Sequence, residues 1–239
     1  MPQPLLTHLA WAASLLLATL AAQAQTAIKP AEPTPDDTVY IVTRPDFRKC
    51  AFPYCGGYYV KAVNQLRTRC ADGTLQKDCH VVQLDARALG WSDDQRATFD
   101  GGFAQGQALV RGRLAQQPVL SVTANTLVVS EAWQGQAAST PKGTFYAVKS
   151  TGIVCITAPC PSLGATRLNS AGARTFNPDL DLTQAGADEA AQLAAGEALG
   201  TTGILAAGTL VPVSYPTLTG GTRWGVKLVA SEFYLPARP

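Results

Sequence analysis

Apolar and polar positions alternate over several short stretches rich in β-branched and aromatic residues, and each stretch reads as a strand. Tyr40-Ile-Val-Thr-Arg44 is the first, and Tyr58-Tyr-Val-Lys-Ala-Val63 follows after Gly56-Gly57. A third runs from His80 to Leu84, and Ala108–Leu114 and Thr126–Ala132 supply two more. Between the third and fourth strands the pattern changes. Ser92-Asp-Asp-Gln95 is a capping box, with Ser92 as N-cap and Gln95 at N3, so a helix is expected over roughly 93–105. The element order is therefore β-β-β-α-β-β.

The same order recurs. Phe145-Tyr-Ala-Val-Lys149 corresponds to the first strand, and an Ala-rich helix is expected over Ala187–Leu199, with Asp188 and Glu189 in its first turn and Gly200 just beyond it. The interval from Asp85 to Gly112 equals that from Asp181 to Gly208, 27 residues in each case. Leu127, Ser130 and Glu131 match Leu228, Ser231 and Glu232. The expected fold class is mainly β (α+β), with two tandem homologous units whose element order is that of small OB-like barrels; the alternative is another small twisted sheet or partly open barrel with one helix closing one end. The boundaries are 1–24 signal peptide, 25–38 Pro-rich linker, 39–133 first unit, 134–143 linker and 144–239 second unit.

Two Cys-x4-Cys pairs occupy equivalent places, Cys50/Cys55 and Cys155/Cys160; Cys70 and Cys79 complete an even six. Asn64 matches Asn169, and Leu84-Asp85 matches Leu180-Asp181, yet the second interval is 9 residues shorter than the first, 11 against 20. The missing piece is the segment that holds Cys70 and Cys79. Their joint loss favours a mutual pair bracketing a hairpin tip at Ala71-Asp-Gly-Thr74, which leaves Cys50 with Cys55 and Cys155 with Cys160. The rival scheme joins the equivalent pairs across the two units. Zinc fits poorly, because this spacing is unlike the usual short knuckles. A redox role fits no better, since a Cys-x-x-Cys at a helix N-terminus is missing.

Compartment follows from the amino terminus. Leu9–Ala21 is a 13-residue apolar or small-residue run ahead of Ala22-Gln23-Ala24, an A-x-A cleavage site. It is too short for a spanning helix of roughly 20 residues. An exported, periplasmic or secreted protein is expected, with no transmembrane segment after signal removal, and disulfides suit that compartment.

Charge narrows the partners. Residues 40–133 hold 11 basic and 8 acidic side chains and residues 134–239 hold 7 and 6, so neither half is polarised enough to call for a polyanion. Arg44, Arg48, Lys49, Lys61, Arg67 and Arg69 do lie near Phe52, Tyr54, Tyr58 and Tyr59, a mixture that can track single strands on a barrel face. The second unit lacks it, and no nucleic-acid partner is expected.

Catalysis is disfavoured. His80 is the one histidine after the signal and reads as structural. Asp36-Asp37 falls in the linker and Asp93-Asp94 caps a helix. Glu131 and Glu232 read as exposed strand charges that block edge pairing, in preference to ligands for a cation. No catalytic residue, metal or cofactor is expected.

Arg44-Pro-Asp-Phe-Arg-Lys-Cys50, Cys55-Gly-Gly-Tyr-Tyr-Val-Lys61, Val63-Asn64-Gln65, Arg69-Cys70-Ala-Asp-Gly73 and Gly152-Ile-Val-Cys-Ile-Thr-Ala-Pro-Cys-Pro161 carry a family signature. With them the chain resembles an uncharacterised family of exported bacterial domains of unknown function, over most of residues 40–235. The resemblance implies export and no particular activity. The expected role is a non-enzymatic binding or structural module with an envelope or extracellular partner. The alternative is a protease inhibitor presenting Ala51–Tyr54 or Ile156–Pro159 as a disulfide-closed loop.

Overall fold

Strand β1, Thr38–Pro45, is buried at Thr38, Val39, Tyr40 and Val42 and exposed at Thr43 and Arg44, and it pairs antiparallel with β2, Tyr58–Ala62. A computed structural model describes residues 37–237 apart from 138 and 218. The expected signal peptide and all but the end of the first linker lie outside the described residues. The hairpin β3 (Thr68–Arg69) and β4 (Leu75–Gln76) comes next, then β5 (Cys79–Val81) and β6 (Gln83–Asp85). Helix α1 spans Asp93–Ala104, and the long hairpin β7 (Ala108–Val119) and β8 (Val122–Gly135) follows. Then come β9 (Thr144–Ser150), β10 (Leu163–Arg167), β11 (Asp179–Asp181), α2 (Glu189–Gly200), β12 (Ile204–Pro216) and β13 (Thr222–Pro236).

The protein is mostly β, and its sheet is largely antiparallel. One path runs β10-β9-β12-β13-β8-β7-β1-β2-β5, with β6 added parallel to β8 and β11 parallel to β13. The partner order is the same on both sides of the central β8–β13 contact. Leu84 sits opposite Leu127, and Leu180 sits opposite Leu228. The register of β7 on β8 slips between Arg111 and Gly112, and that of β12 on β13 slips between Ala207 and Gly208. The described strands end at β10 and β5 and form no closed barrel.

Three local expectations change. The third strand is two strands: Val82 interrupts it by donating its N–H to Asn125 O at 2.9 Å, so β5 stays on β2 while β6 crosses to β8. The last strands of each half are longer than their apolar stretches, because hairpin pairing carries them out past the core. Asp188 is the N-cap of α2, accepting from Ala191 N at 2.8 Å, and Gly200 is the last helical residue. The Ser92–Gln95 capping box forms as expected.

Three apolar clusters hold the sheet. Phe99 and Phe103 of α1 enter the first with Tyr40, Val60, Val81, Val110 and Leu127. The second lies under α2, which buries the small Ala195 and Ala198 and packs the half-buried Ala191 and Leu199 beside them, while Tyr146, Ile204, Leu228 and Phe233 fill the space from the sheet side. The third joins the halves through Val39, Leu109 and Trp133 on one side and Phe145, Leu205 and Tyr234 on the other. Each large apolar side chain buried there contributes about 1.5–3 kcal/mol.

Candidate functional site

The β1–β2 and β9–β10 connections each contain a disulfide-closed ring. Cys50–Cys55 and Cys155–Cys160 lie at bonding distance, with Cα atoms 5.7 and 5.6 Å apart, and Cys70–Cys79 pairs at 5.5 Å. The pairing is local throughout. A ring of this size limits the unfolded chain by about 2 kcal/mol, and its main effect is to hold a short loop in one shape.

Each ring is braced at its base. Asp46 donates its N–H to Gly57 O at 3.0 Å, and its buried carboxylate accepts from Arg48 Nε and Nη2 at 2.9 and 2.8 Å. Arg48 Nη2 also donates to Tyr54 O at 3.3 Å, which ties the ring to the aspartate. His80 Nε2 lies 3.0 Å from Asp46 Oδ2 and 2.8 Å from Gly56 O. Both neighbours accept, so that nitrogen carries the proton. The guanidinium of Arg48, foremost, holds the Asp46 carboxyl well below the usual carboxylate range. His80 thus belongs to the loop's foundation. In the other connection Thr151 donates its N–H to Ser162 O at 2.9 Å and its hydroxyl to Pro161 O at 2.6 Å.

On these braced rings large apolar side chains face solvent. Phe52 and Tyr54 are 49% and 67% exposed, and Ile156 in the second ring is fully exposed. Phe47 and Val154 beside them are also exposed. The second ring rests on the β12–β13 arm: a Cβ on Gly225 would come within 3.3 Å of Pro159 Cβ and 2.9 Å of the Tyr215 ring, and exposed Trp224 is its neighbour. Sequence reasoning singled out the rings but missed the arm, whose Trp224 lies 65 residues away from Pro159 in the chain.

The basic and aromatic residues of the first half are not one open face. Arg44 stands 3.7 Å over the Tyr59 ring and pairs with Asp78 at 2.9 Å, while Tyr58 packs edge-on against Phe103. Lys49 is exposed and Lys61 half-buried. Asp37 lies 3.3 Å from Arg111 Nε, Asp93 and Asp94 lie in the first turn of α1, and Asp36 lies outside the described residues.

Glu131 and Glu232 part company. Glu131 is exposed and pairs with Arg111 at 3.0 Å, which agrees with a strand charge. Glu232 is 1% exposed and corrects the reading of an exposed charge. Its Oε1 accepts from Gln136, Ala137 and Phe233 N–H at 3.1, 3.0 and 2.9 Å, and Oε2 accepts from the Ser139 hydroxyl at 3.3 Å. Gln136, Ala137, Ser139 and Lys142 bond back onto β13, and a buried carboxylate survives there because four donors surround it. Burial outweighs those donors and pushes its pKa up. Ser231 Oγ extends the seam, accepting from Lys142 N at 2.8 Å.

Among the described residues no group of three or more His, Cys, Asp or Glu side chains is placed to hold a metal ion, and no helix is long and apolar enough to cross a membrane. The fold and its rings define a disulfide-stapled, mostly β domain. The chain belongs to the family described as a domain of unknown function (DUF6748), whose model matches residues 39–239. A search of curated proteins gives no match.

Proposed function

We propose that the chain is an exported, non-enzymatic binding module of the cell envelope or exterior, made of two tandem homologous units of β-β-β-α-β-β order. The partner order shared by β1, β2, β6, β7, β8 and by β9, β10, β11, β12, β13 supports the duplication. The contact surface is the pair of cysteine-closed rings. One observation carries this reading: both rings hold large apolar side chains in solvent on a braced scaffold. Apolar groups kept rigid and exposed lose little entropy on binding and release water when covered.

The experiment is capture from envelope and culture fractions with the mature protein and two loop variants, F52S/Y54S and V154S/I156S. A specific partner retained by the parent and lost by both variants, at unchanged melting temperature, supports the module. Equal capture by all three proteins overturns it.

A second reading, protease inhibition, is favoured by one side chain. Ile156 is fully exposed inside a closed six-residue ring, as a substrate-like residue would be. Stoichiometric inhibition of a trypsin-, chymotrypsin- or subtilisin-like enzyme, relieved in Ile156→Gly, would establish it; full residual proteolysis removes it.

A further inference from the structure

The second ring and the β12–β13 arm under it are apolar where they meet solvent. Val154 and Ile156 are almost wholly exposed and Ile153 is half exposed. On β13, Trp224 and Val226 are exposed and, two residues apart, share one face of the arm. Pro159 of the ring meets the arm at Gly225, the residue between them. The aliphatic tip and the indole thus belong to two segments in contact.

The ring offers little besides apolar area. From Gly152 to Pro161 it has no charged or amide side chain, and Thr157 has the one side-chain hydroxyl. Protein interfaces combine apolar contact with hydrogen bonds that fix the register of the partner, and this tip has almost none to give. A lipid surface needs no register. Charge favours the same occupant. Residues 150–178 and 198–231 contain no Asp or Glu. Lys149 at the foot of the ring and Arg223 beside Trp224 are exposed, and neither joins an ion pair among the described residues. Lys227 is set aside, because Asp179 of β11 sits opposite it.

We infer that the second ring, with Trp224 of the arm, anchors the protein peripherally to an anionic lipid surface. The inference rests on the reading of the rings as contact surfaces and names the partner of the second one. Val154 and Ile156 enter the boundary between headgroups and acyl chains. Trp224 takes the headgroup level, where an indole has both apolar and polar neighbours. Lys149 and Arg223 meet the lipid phosphates.

The test is sedimentation of the oxidised protein with vesicles of phosphatidylglycerol and phosphatidylethanolamine, against vesicles of phosphatidylcholine alone. Binding to the anionic vesicles should be about tenfold or more tighter and should weaken with salt. V154S/I156S should weaken it about tenfold or more at unchanged melting temperature, and Arg223→Gln about fivefold. Trp224→Phe should still bind but lose the blue shift in emission that lipid gives the parent. No binding, equal binding to both vesicles, full binding by V154S/I156S, or a blue shift retained in Trp224→Phe each overturns the anchor. If vesicles are ignored while V154S/I156S still loses a captured protein, the contact-surface reading stands and the lipid does not. Failure of that reading shows differently, as equal capture by parent and loop variants.

Discussion

Asn64 and Asn169 clasp each other's half of the molecule. The Asn64 amide accepts from Phe145 N–H at 2.9 Å and donates to Phe145 O and Leu168 O at 2.8 and 3.0 Å. The Asn169 amide accepts from Val39 N–H at 2.9 Å and donates to Val39 O and Val63 O at 2.8 and 3.0 Å. Each side chain therefore closes the start of the other half's first strand. Both residues take left-handed backbone, with φ of 60° and 51°, a conformation asparagine accepts more readily than most residues. Gln65 adds a bond from its side chain to Asn169 O. The third apolar cluster lies against this clasp, so the halves are joined by packing and by reciprocal polar contacts.

Removing one arm of the clasp leaves buried backbone groups unpaired. Asn169→Ala and Asn64→Ala should each destabilise by about 2–4 kcal/mol in urea unfolding. Asn169→Gly should retain about 1 kcal/mol more than the alanine variant, because glycine tolerates positive φ. Alanine variants as stable as the parent would show that the clasp holds nothing.

Gly112 and Gly208 sit at the two register slips, where the facing strand leaves no room for a side chain. A Cβ would meet Val128 O at 1.9 Å and Val229 O at 2.3 Å. Either change to alanine should cost about 3 kcal/mol or more, since backbone must move. Gly101, inside α1 with nothing within 4 Å of its Cβ position, is the contrast. Gly101→Ala should stabilise by about 0.5–1 kcal/mol, read from the same denaturation curves.

Acid should act on Asp46 and Glu232 in opposite senses. The folded Asp46 carboxyl titrates below its unfolded value, so its contribution is present above that value and is lost as pH falls. Asp46→Asn should therefore narrow its deficit against the parent as the solution is acidified. Glu232 titrates above its unfolded value when folded, so the folded state takes up the proton first and stability falls as pH rises through that window. The parent should lose ground to Glu232→Gln on going from acid to neutral pH. Melting temperatures measured across about pH 2–7 test both; slopes of the reverse sign would refute the assignments.

Non-reducing peptide mapping should recover Cys50–Cys55, Cys70–Cys79 and Cys155–Cys160. Replacing Cys70 and Cys79 by serine should cost about 2.7 kcal/mol in the chain-entropy account of a ten-residue loop. A fragment bridging the first ring to the second would contradict the local scheme.

What was legible in the residues was local. Alternation in Tyr40–Arg44 and Phe145–Lys149 marked the strands. Ser92 and Gln95 marked a helix start. The lack of any counterpart to Cys70 and Cys79 in residues 144–239 pointed to their pairing. The break at Val82 was not legible, because its N–H is claimed by Asn125, more than forty residues on. The rings were visible as candidates, but the approach of Trp224 and its arm to the second ring was not, since it joins segments distant in the chain.

By itself the amino-acid order determined which segments become strands and helices and which cysteines lie within reach, because periodicity, caps and short loops act over a few residues. Tertiary structure alone decided that Glu232 is buried while its counterpart Glu131 stays in water, that β8 meets β13 at Tyr234–Gly135, and that two asparagines lock the halves. Burial and pairing depend on what covers a residue, and here the covering strand or connection comes from another part of the chain.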